Sequence, residues 1–227
     1  SNNWLTVEGI EAIRTRSVVL PVGVELDWIG EAEERRSGPR RLLWNHRWEF
    51  DKSPELFVRV VRQLAGEGVP FGLIIAGEPG DNPSPAMWRL REELGDRVEH
   101  FGFAESREVY GALLRRADIA VSTTRHEFFG IGMVEAMAAG CIPCAPRRYA
   151  YPELVPPGYH DLLWEDEAGL VTLLRRLAIG SLPPREPFRM AARRFDWAVV
   201  GPVWEVALEA LAEGRLPPDP GDGDKMG

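Results

Sequence analysis

Two stretches of this 227-residue sequence combine residue types suited to holding an anionic ligand. The first, Asn45-His46-Arg47-Trp48-Glu49-Phe50-Asp51-Lys52, offers Arg47 as a forked donor and Lys52 as a point charge, a pair able to grip one diphosphate from two directions. The alternative is two solvated surface cations. The second runs from Ser122-Thr123-Thr124-Arg125-His126 through Glu127-Phe128-Phe129-Gly130-Ile131-Gly132 to Met133-Val134-Glu135, a strand end and polar turn leading into a helix. Backbone N–H groups of Phe129, Gly130, Ile131 and Gly132 have no partner within such a helix, and the glycines let a ligand reach the main chain. An anion site built from backbone is expected there. Glu127 precedes the helix and Glu135 lies in its second turn. One suits the far end of an extended ligand and the other a ribose, whose two hydroxyls a carboxylate can accept. Equally, Glu127 can complement the helix dipole while Glu135 remains a surface residue. His46 either bonds a phosphate or orients its loop.

In open α/β sheets ligands sit at the carboxyl ends of the strands, so these loops converge only if the strands before them run parallel. Apolar runs predict strands at residues 41–45, 71–76, 97–101, 118–122 and 141–145. Helices are expected between them at 54–65, with Ser53 as N-cap and Pro54 first, and at 84–94, 106–116 and 130–139. Runs such as Gly72-Leu73-Ile74-Ile75-Ala76 are apolar throughout, as in strands covered on both faces. The succession of βα units predicts an α/β fold, a Rossmann-like doubly wound parallel sheet. After Pro146 the pattern reads as a loop, a short strand at 160–164, and helices at 165–177, 184–194 and 197–212. Ahead of the repeats, residues 17–26 read as a strand broken by Pro21 and Gly23. The expected organisation is an N-terminal remnant or artificial start at 1–16, a connector at 17–40, the Rossmann-like domain at 41–197, a C-terminal helix at 198–213 and a disordered tail at 214–227.

Composition narrows the partners. With 27 Lys+Arg against 35 Asp+Glu the formal charge is −8, which repels a polyanion on average but leaves room for a local phosphate pocket. The pairs Arg115-Arg116, Arg147-Arg148 and Arg193-Arg194 are read as solvated faces. Neither GxGxxG nor GxxxxGK[ST] follows the first strand, which argues against dinucleotide and P-loop sites. Cys141-Ile142-Pro143-Cys144 has CxxC spacing but falls after a helix, on a buried strand, and reads as core rather than as a redox or zinc pair. No metal-ligand cluster is expected. Two cysteines cannot build a disulfide framework, which fits a reducing, cytoplasmic setting. No apolar run approaches the length of a membrane span, and no signal peptide opens the chain, so a soluble protein is expected. His100 and His160 are expected to pack or bond the backbone, Trp44 and Trp197 to pack, and Trp48 to line the ligand pocket.

Together these residues resemble the C-terminal half of GT-B glycosyltransferases of family 4, whose Glu-x7-Glu motif is present as Glu127 and Glu135. Pro21-Val22-Gly23-Val24-Glu25 is similar to the family's interdomain run, and Glu135-Ala136-Met137-Ala138-Ala139-Gly140-Cys141-Ile142-Pro143 to its E-A-M-A-x-G-x-P. Arg194-Phe195-Asp196-Trp197 resembles the R-F-x-W before its terminal helix. Trp44-Asn45-His46-Arg47-Trp48-Glu49 with Asp51-Lys52, His126-Glu127-Phe128-Phe129-Gly130 and Tyr151-Pro152-Glu153 resemble a narrower group, the tRNA-queuosine α-mannosyltransferases.

The resemblance implies donor binding. Arg47 and Lys52 would meet the diphosphate, Glu135 the ribose, Glu127 the donor sugar, and the backbone from Phe128 to Gly132 the sugar and phosphate. Gly102 and Phe103 would lie beside the base, and the match favours His46 as a donor-binding residue bonding a phosphate. It further implies retention of anomeric configuration and a nucleoside-diphosphate sugar, GDP-mannose among the candidates, as substrate, with no other cofactor. An N-terminal half would complete the site, and a tRNA acceptor would be reached only through the full-length protein. Three rivals stay open: transfer to glycan or lipid acceptors, or an epimerase of the same fold; a non-catalytic nucleotide-sugar module; and a flavodoxin-like or receiver-type module.

Overall fold

Apolar runs become the strands of one parallel sheet in the computed structural model, which describes residues 6–30, 37–80 and 84–217. The strands are β1 (Arg40–Trp44), β2 (Phe71–Ala76), β3 (Val98–Gly102), β4 (Ile119–Val121), β5 (Ile142–Pro146) and β6 (Leu163–Trp164). Their order is β3-β2-β1-β4-β5-β6, and each pairing is parallel. Leu42 of β1 stands between Leu73 of β2 and Ile119 of β4. Chain order reverses at this β1–β4 junction, and a doubly wound sheet opens a crevice beyond its strand ends at such a point.

Helices cover both faces because each carries one apolar stripe. Helix α2 (Pro54–Gly66) buries Phe57, Val58, Val60, Val61 and Leu64. Bidentate ion pairs fasten α2 to its neighbours: Arg62 with Glu93 on α3 (Pro85–Leu94), and Arg59 with Glu167 on α7 (Glu167–Ile179). Helix α4 (Arg107–Arg116) starts at Ser106, whose hydroxyl accepts from the Val109 amide. Helix α5 (Ile131–Ala138) follows β4 and packs against α8 (Glu186–Arg193).

The chain divides into two compact units, Val24–Arg193 and the pair of segments 1–23 and 194–227. In the smaller unit, α1 (Val7–Arg14) is capped by Thr6, and α9 (Trp197–Ala212) by Asp196. The Trp204 indole donates to the carbonyl of Pro21 at 2.8 Å. The strand predicted at 17–26 is absent: Pro21 has no amide to donate, and only Val24 makes an isolated bridge. Helix α1 was not expected from the sequence, and neither was α6 (Tyr151–Leu154). In α6 Pro152 falls in the first turn, where a missing N–H costs nothing. The strand predicted at 160–164 shrinks to β6, because a 3₁₀ segment occupies Pro157–Leu162. Residues 31–36 of the expected connector and 218–227 of the expected tail lie outside the described residues.

Candidate functional site

The loop after β1 is pinned to the end of β4. The buried Trp44 indole donates to Thr123 Oγ1 at 3.0 Å, and that hydroxyl donates to the Lys52 carbonyl at 2.8 Å. The Arg125 amide donates to the Asp51 carbonyl at 2.7 Å, and Arg125 Nε to Ser53 Oγ at 2.9 Å. Ser53 does occupy the N-cap of α2, yet its φ is +49° and its hydroxyl serves Arg125 instead of capping. So fastened, the loop turns Lys52 inward, with Nζ 3.1 Å from Asp51 Oδ2 and 3.3 Å from Glu127 Oε2. The Lys52 and Glu127 side chains are each only 15% exposed. Arg47 points outward, 63% exposed, and its guanidinium bonds Glu49 at 2.8 Å.

Opposite Lys52 stands the start of α5. Gly130 has φ +92°, a left-handed conformation that favours glycine, and an added Cβ would lie 3.1 Å from Leu154 and 3.5 Å from the Tyr151 ring. Beneath it Ser122 Oγ and Thr124 Oγ1 bond the Tyr151 hydroxyl at 2.7 and 3.2 Å, all of them buried, and burial pushes the Tyr151 phenol up. The amides of Gly130, Ile131 and Gly132 have no hydrogen-bond partner among the described residues. With Lys52, Arg47, Glu127 and Phe128 they line a cavity of about 400 Å³. Phe128 is almost wholly exposed. Backbone donors and a mostly covered cation facing a common space are an arrangement able to hold an anion.

A second cavity, about 420 Å³, adjoins the first along Asn45, His46 and Arg47 and extends past Gly77 and Phe103 to Arg107 and Tyr110. Gly102 does not line it; its carbonyl accepts from the Gly77 amide at 3.0 Å and pairs with His100 Nε2 at 3.1 Å. Glu135, half-buried, accepts from the Tyr110 hydroxyl at 3.0 Å. Burial raises the Glu135 carboxyl, opposed by that hydrogen bond and by Arg107. His46 is buried and its Nε2 has no hydrogen-bond partner among the described residues. Desolvation and the nearby Lys52, opposed by Asp51, lower it to about 3, so the imidazole is neutral.

Several sequence expectations need correction. Trp48 does not line either cavity; it is buried against Trp88 and Phe101, with ring centroids at 5.4 and 4.8 Å. Trp197 packs as expected, its ring against Gly23 and 6.4 Å from that of Trp204, although it stays 46% exposed. Arg115, Arg116, Arg147 and Arg148 are not simply solvated: each bonds a backbone carbonyl or an acid, the partners being Ile29, Glu99, His160 and Thr124. His100 and His160 bond backbone carbonyls, as expected. Cys141 and Cys144 are wholly buried, and burial pushes the Cys144 thiol up. Thr123, Asn45, Tyr110 and Tyr151 were missed as site-builders. For Thr123 the available signal was the Ser-Thr-Thr run at a strand end, where buried hydroxyls must find partners.

Among the described residues no group of three or more His, Cys, Asp or Glu side chains is arranged to hold a metal, and no helix is long and apolar enough to cross a membrane. Comparison with known proteins matches residues 29–193 to the family described as Glycosyl transferases group 1. A tRNA-queuosine alpha-mannosyltransferase of Drosophila melanogaster is 43% identical over 115 residues, 51% of this chain and 30% of the relative. A GDP-mannose:cellobiosyl-diphosphopolyprenol alpha-mannosyltransferase of Xanthomonas oryzae is 35% identical over 186 residues, 78% of this chain and 49% of the relative. The chain thus spans half or less of these two relatives. Among solved structures, sucrose-phosphate synthase from Thermosynechococcus elongatus shares the fold with TM-score 0.67 at 22% identity, covering 86% of this chain and 52% of that one. The C-terminal domain of a Francisella tularensis glycosyl transferase group 1 protein does so with TM-score 0.60 at 19% identity, covering 80% of this chain and 98% of that one.

Proposed function

Because this chain belongs to the group 1 glycosyl transferases, we propose that it is the donor-binding half of a retaining glycosyltransferase that takes mannose from GDP-mannose. The observation that carries the reading is the pairing of Lys52 with Glu127 across from the unpartnered amides of Gly130, Ile131 and Gly132. A diphosphate placed between them meets a cation on one side and backbone donors on the other. Arg47, on the wall shared by both cavities, swings from Glu49 to the same phosphates. The nucleoside extends into the second cavity toward Phe103 and Tyr110, its ribose reaching Glu135, which lines neither cavity but is bonded to the Tyr110 hydroxyl at the second one's wall. Glu127, released from Lys52, holds the hydroxyls of the sugar.

As the glycosidic bond breaks, negative charge builds on the departing diphosphate, and donors already aimed at it stabilise that charge most. An acceptor hydroxyl attacks the anomeric carbon from the face the phosphate leaves, and its proton passes to a phosphate oxygen, so configuration is retained. The acceptor we infer is a tRNA nucleoside, reached through the longer protein in a reducing, cytoplasmic setting. Identity to the tRNA-queuosine enzyme supports the acceptor, and the mannosyltransferase relatives that name GDP-mannose support the donor. Alone, this half is expected to bind donor weakly and to transfer little.

Calorimetric titration with GDP-mannose, UDP-glucose and other nucleotide sugars tests the donor. GDP-mannose should bind saturably, and Lys52→Met should weaken it about tenfold, the loss of one charge-assisted contact. A UDP-sugar preferred over GDP-mannose replaces the donor; a Lys52→Met affinity equal to that of the unaltered chain removes Lys52 from the phosphate site.

A further inference from the structure

We infer that Tyr110 and Asn45 form a directed hydrogen-bond relay that holds Glu135 in position for one ribose hydroxyl, making Tyr110 a positioning residue for nucleotide recognition. The inference rests on the donor-binding reading above.

Asn45 Nδ2 donates to the Gly132 carbonyl at 2.8 Å and to the Tyr110 hydroxyl at 2.9 Å. Both amide hydrogens are thereby used, and the Tyr110 oxygen becomes an acceptor on that side. Its single proton then goes to Glu135 Oε2, at 3.0 Å. The direction is fixed: burial and the Glu135 charge push the Tyr110 phenol up, so it keeps its proton. No other described residue hydrogen-bonds Glu135, which leaves Oε1 for a ligand. The Tyr110 ring is itself held, stacked on Trp28 with centroids 5.7 Å apart, while the Arg107 guanidinium lies 4.9 Å from the same indole. The relay begins at Gly132, in the wall of the anion cavity, and ends beside the nucleoside cavity. Phosphate and ribose subsites are thus set relative to each other by one chain of bonds. A carboxylate with one oxygen committed presents the other at a defined angle, whereas a freely rotating carboxylate must give up its rotational freedom on binding.

Tyr110→Phe deletes the relay's hydroxyl and keeps the ring on Trp28. The test measures dissociation constants of GDP, 2′-deoxy-GDP and 3′-deoxy-GDP for the unaltered chain, Tyr110→Phe, Glu135→Gln and the double variant, with thermal melting of each. The expected result is a roughly five- to tenfold loss of GDP affinity in Tyr110→Phe, with at least one deoxy analogue almost unaffected. The preference for ribose collapses in Glu135→Gln as well, and the double variant is no worse than Glu135→Gln alone. Equal weakening of GDP and both analogues in Tyr110→Phe makes its role merely structural and overturns the relay. A ribose preference that survives Glu135→Gln, or GDP that fails to bind the unaltered chain at millimolar concentration, overturns the donor-site reading and the relay with it.

Discussion

Replacing Gly77 with alanine is expected to destabilise the unit Val24–Arg193 by about 3 kcal/mol or more, the largest effect of any single methyl added near the site. Gly77 follows β2 where the backbone passes the end of β1. A Cβ there would lie 1.8 Å from the His46 carbonyl oxygen and 2.6 Å from its carbon. Both are main-chain atoms, so no rotamer relieves the clash. The strand ends must part, which pulls on the Gly77–Gly102 hydrogen bond and on the wall shared by the two cavities. Urea unfolding of Gly77→Ala should show a lower midpoint, and GDP-mannose binding should be lost with it. A variant within about 0.5 kcal/mol of the unaltered chain, the range of an ordinary surface change, would show that these strand ends separate without cost.

The second large effect is acid sensitivity centred on His46. Its folded value of about 3 lies below the ordinary 6.5 because burial and Lys52 disfavour the imidazolium. The unfolded chain therefore binds a proton that the folded chain refuses at any pH between these values. Stability is intact above 6.5 and falls as pH drops toward 3. Between pH 7 and pH 5 the loss from this one residue is about 2 kcal/mol. Glu67, Glu93 and Glu167, held down by Arg175, Arg62 and Arg59, add their own losses only below their ordinary value of 4.5. The raised Glu135 carboxyl acts in the opposite sense, gaining stability as pH falls, so the histidine is isolated by comparing two chains in which Glu135 is the same. Unfolding free energies of the unaltered chain and His46→Gln at both pH values provide the check: the variant should lose about 2 kcal/mol less over the interval. Parallel slopes would mean that His46 gains its proton in the folded state.

The parallel sheet was legible because β2 and β5 are buried along their whole length and read as uninterrupted apolar runs. The starts of α2 and α4 were legible to within a residue, from Pro54 with its fixed backbone and from Ser106, whereas the Ser53 hydroxyl read as a cap serves Arg125 instead. Residues 17–26 misled because Val18, Val19 and Leu20 have strand-like composition, while the partner that a strand needs is not a local property. At the site, charge and spacing singled out Lys52, Glu127 and Glu135 as candidates but left the solvated-cation, helix-dipole and surface alternatives open, and only the family resemblance gave them roles. Tyr110 was not: the phenol lies 25 residues from the acid it holds, and Asn45 reaches across 87 residues to Gly132. Hydrogen bonds of that range leave no periodicity to read. Trp48 misled for the opposite reason, since an aromatic beside ligand-binding residues looks the same whether it faces the ligand or the core.

The inward turn of Lys52 makes ligand entry an ion-exchange reaction. At rest the ammonium is already compensated by Asp51 and Glu127. An entering anion must displace two carboxylates from one cation, and only the difference between the old and new pairings reaches the binding constant. A singly charged anion offers less than the carboxylates it replaces. A diphosphate brings more charge, and its remaining oxygens find the amides of Gly130, Ile131 and Gly132. On the donor-site reading proposed above, such a site would sort anions by valence before it read their shape, favouring a polyphosphate over monovalent anions.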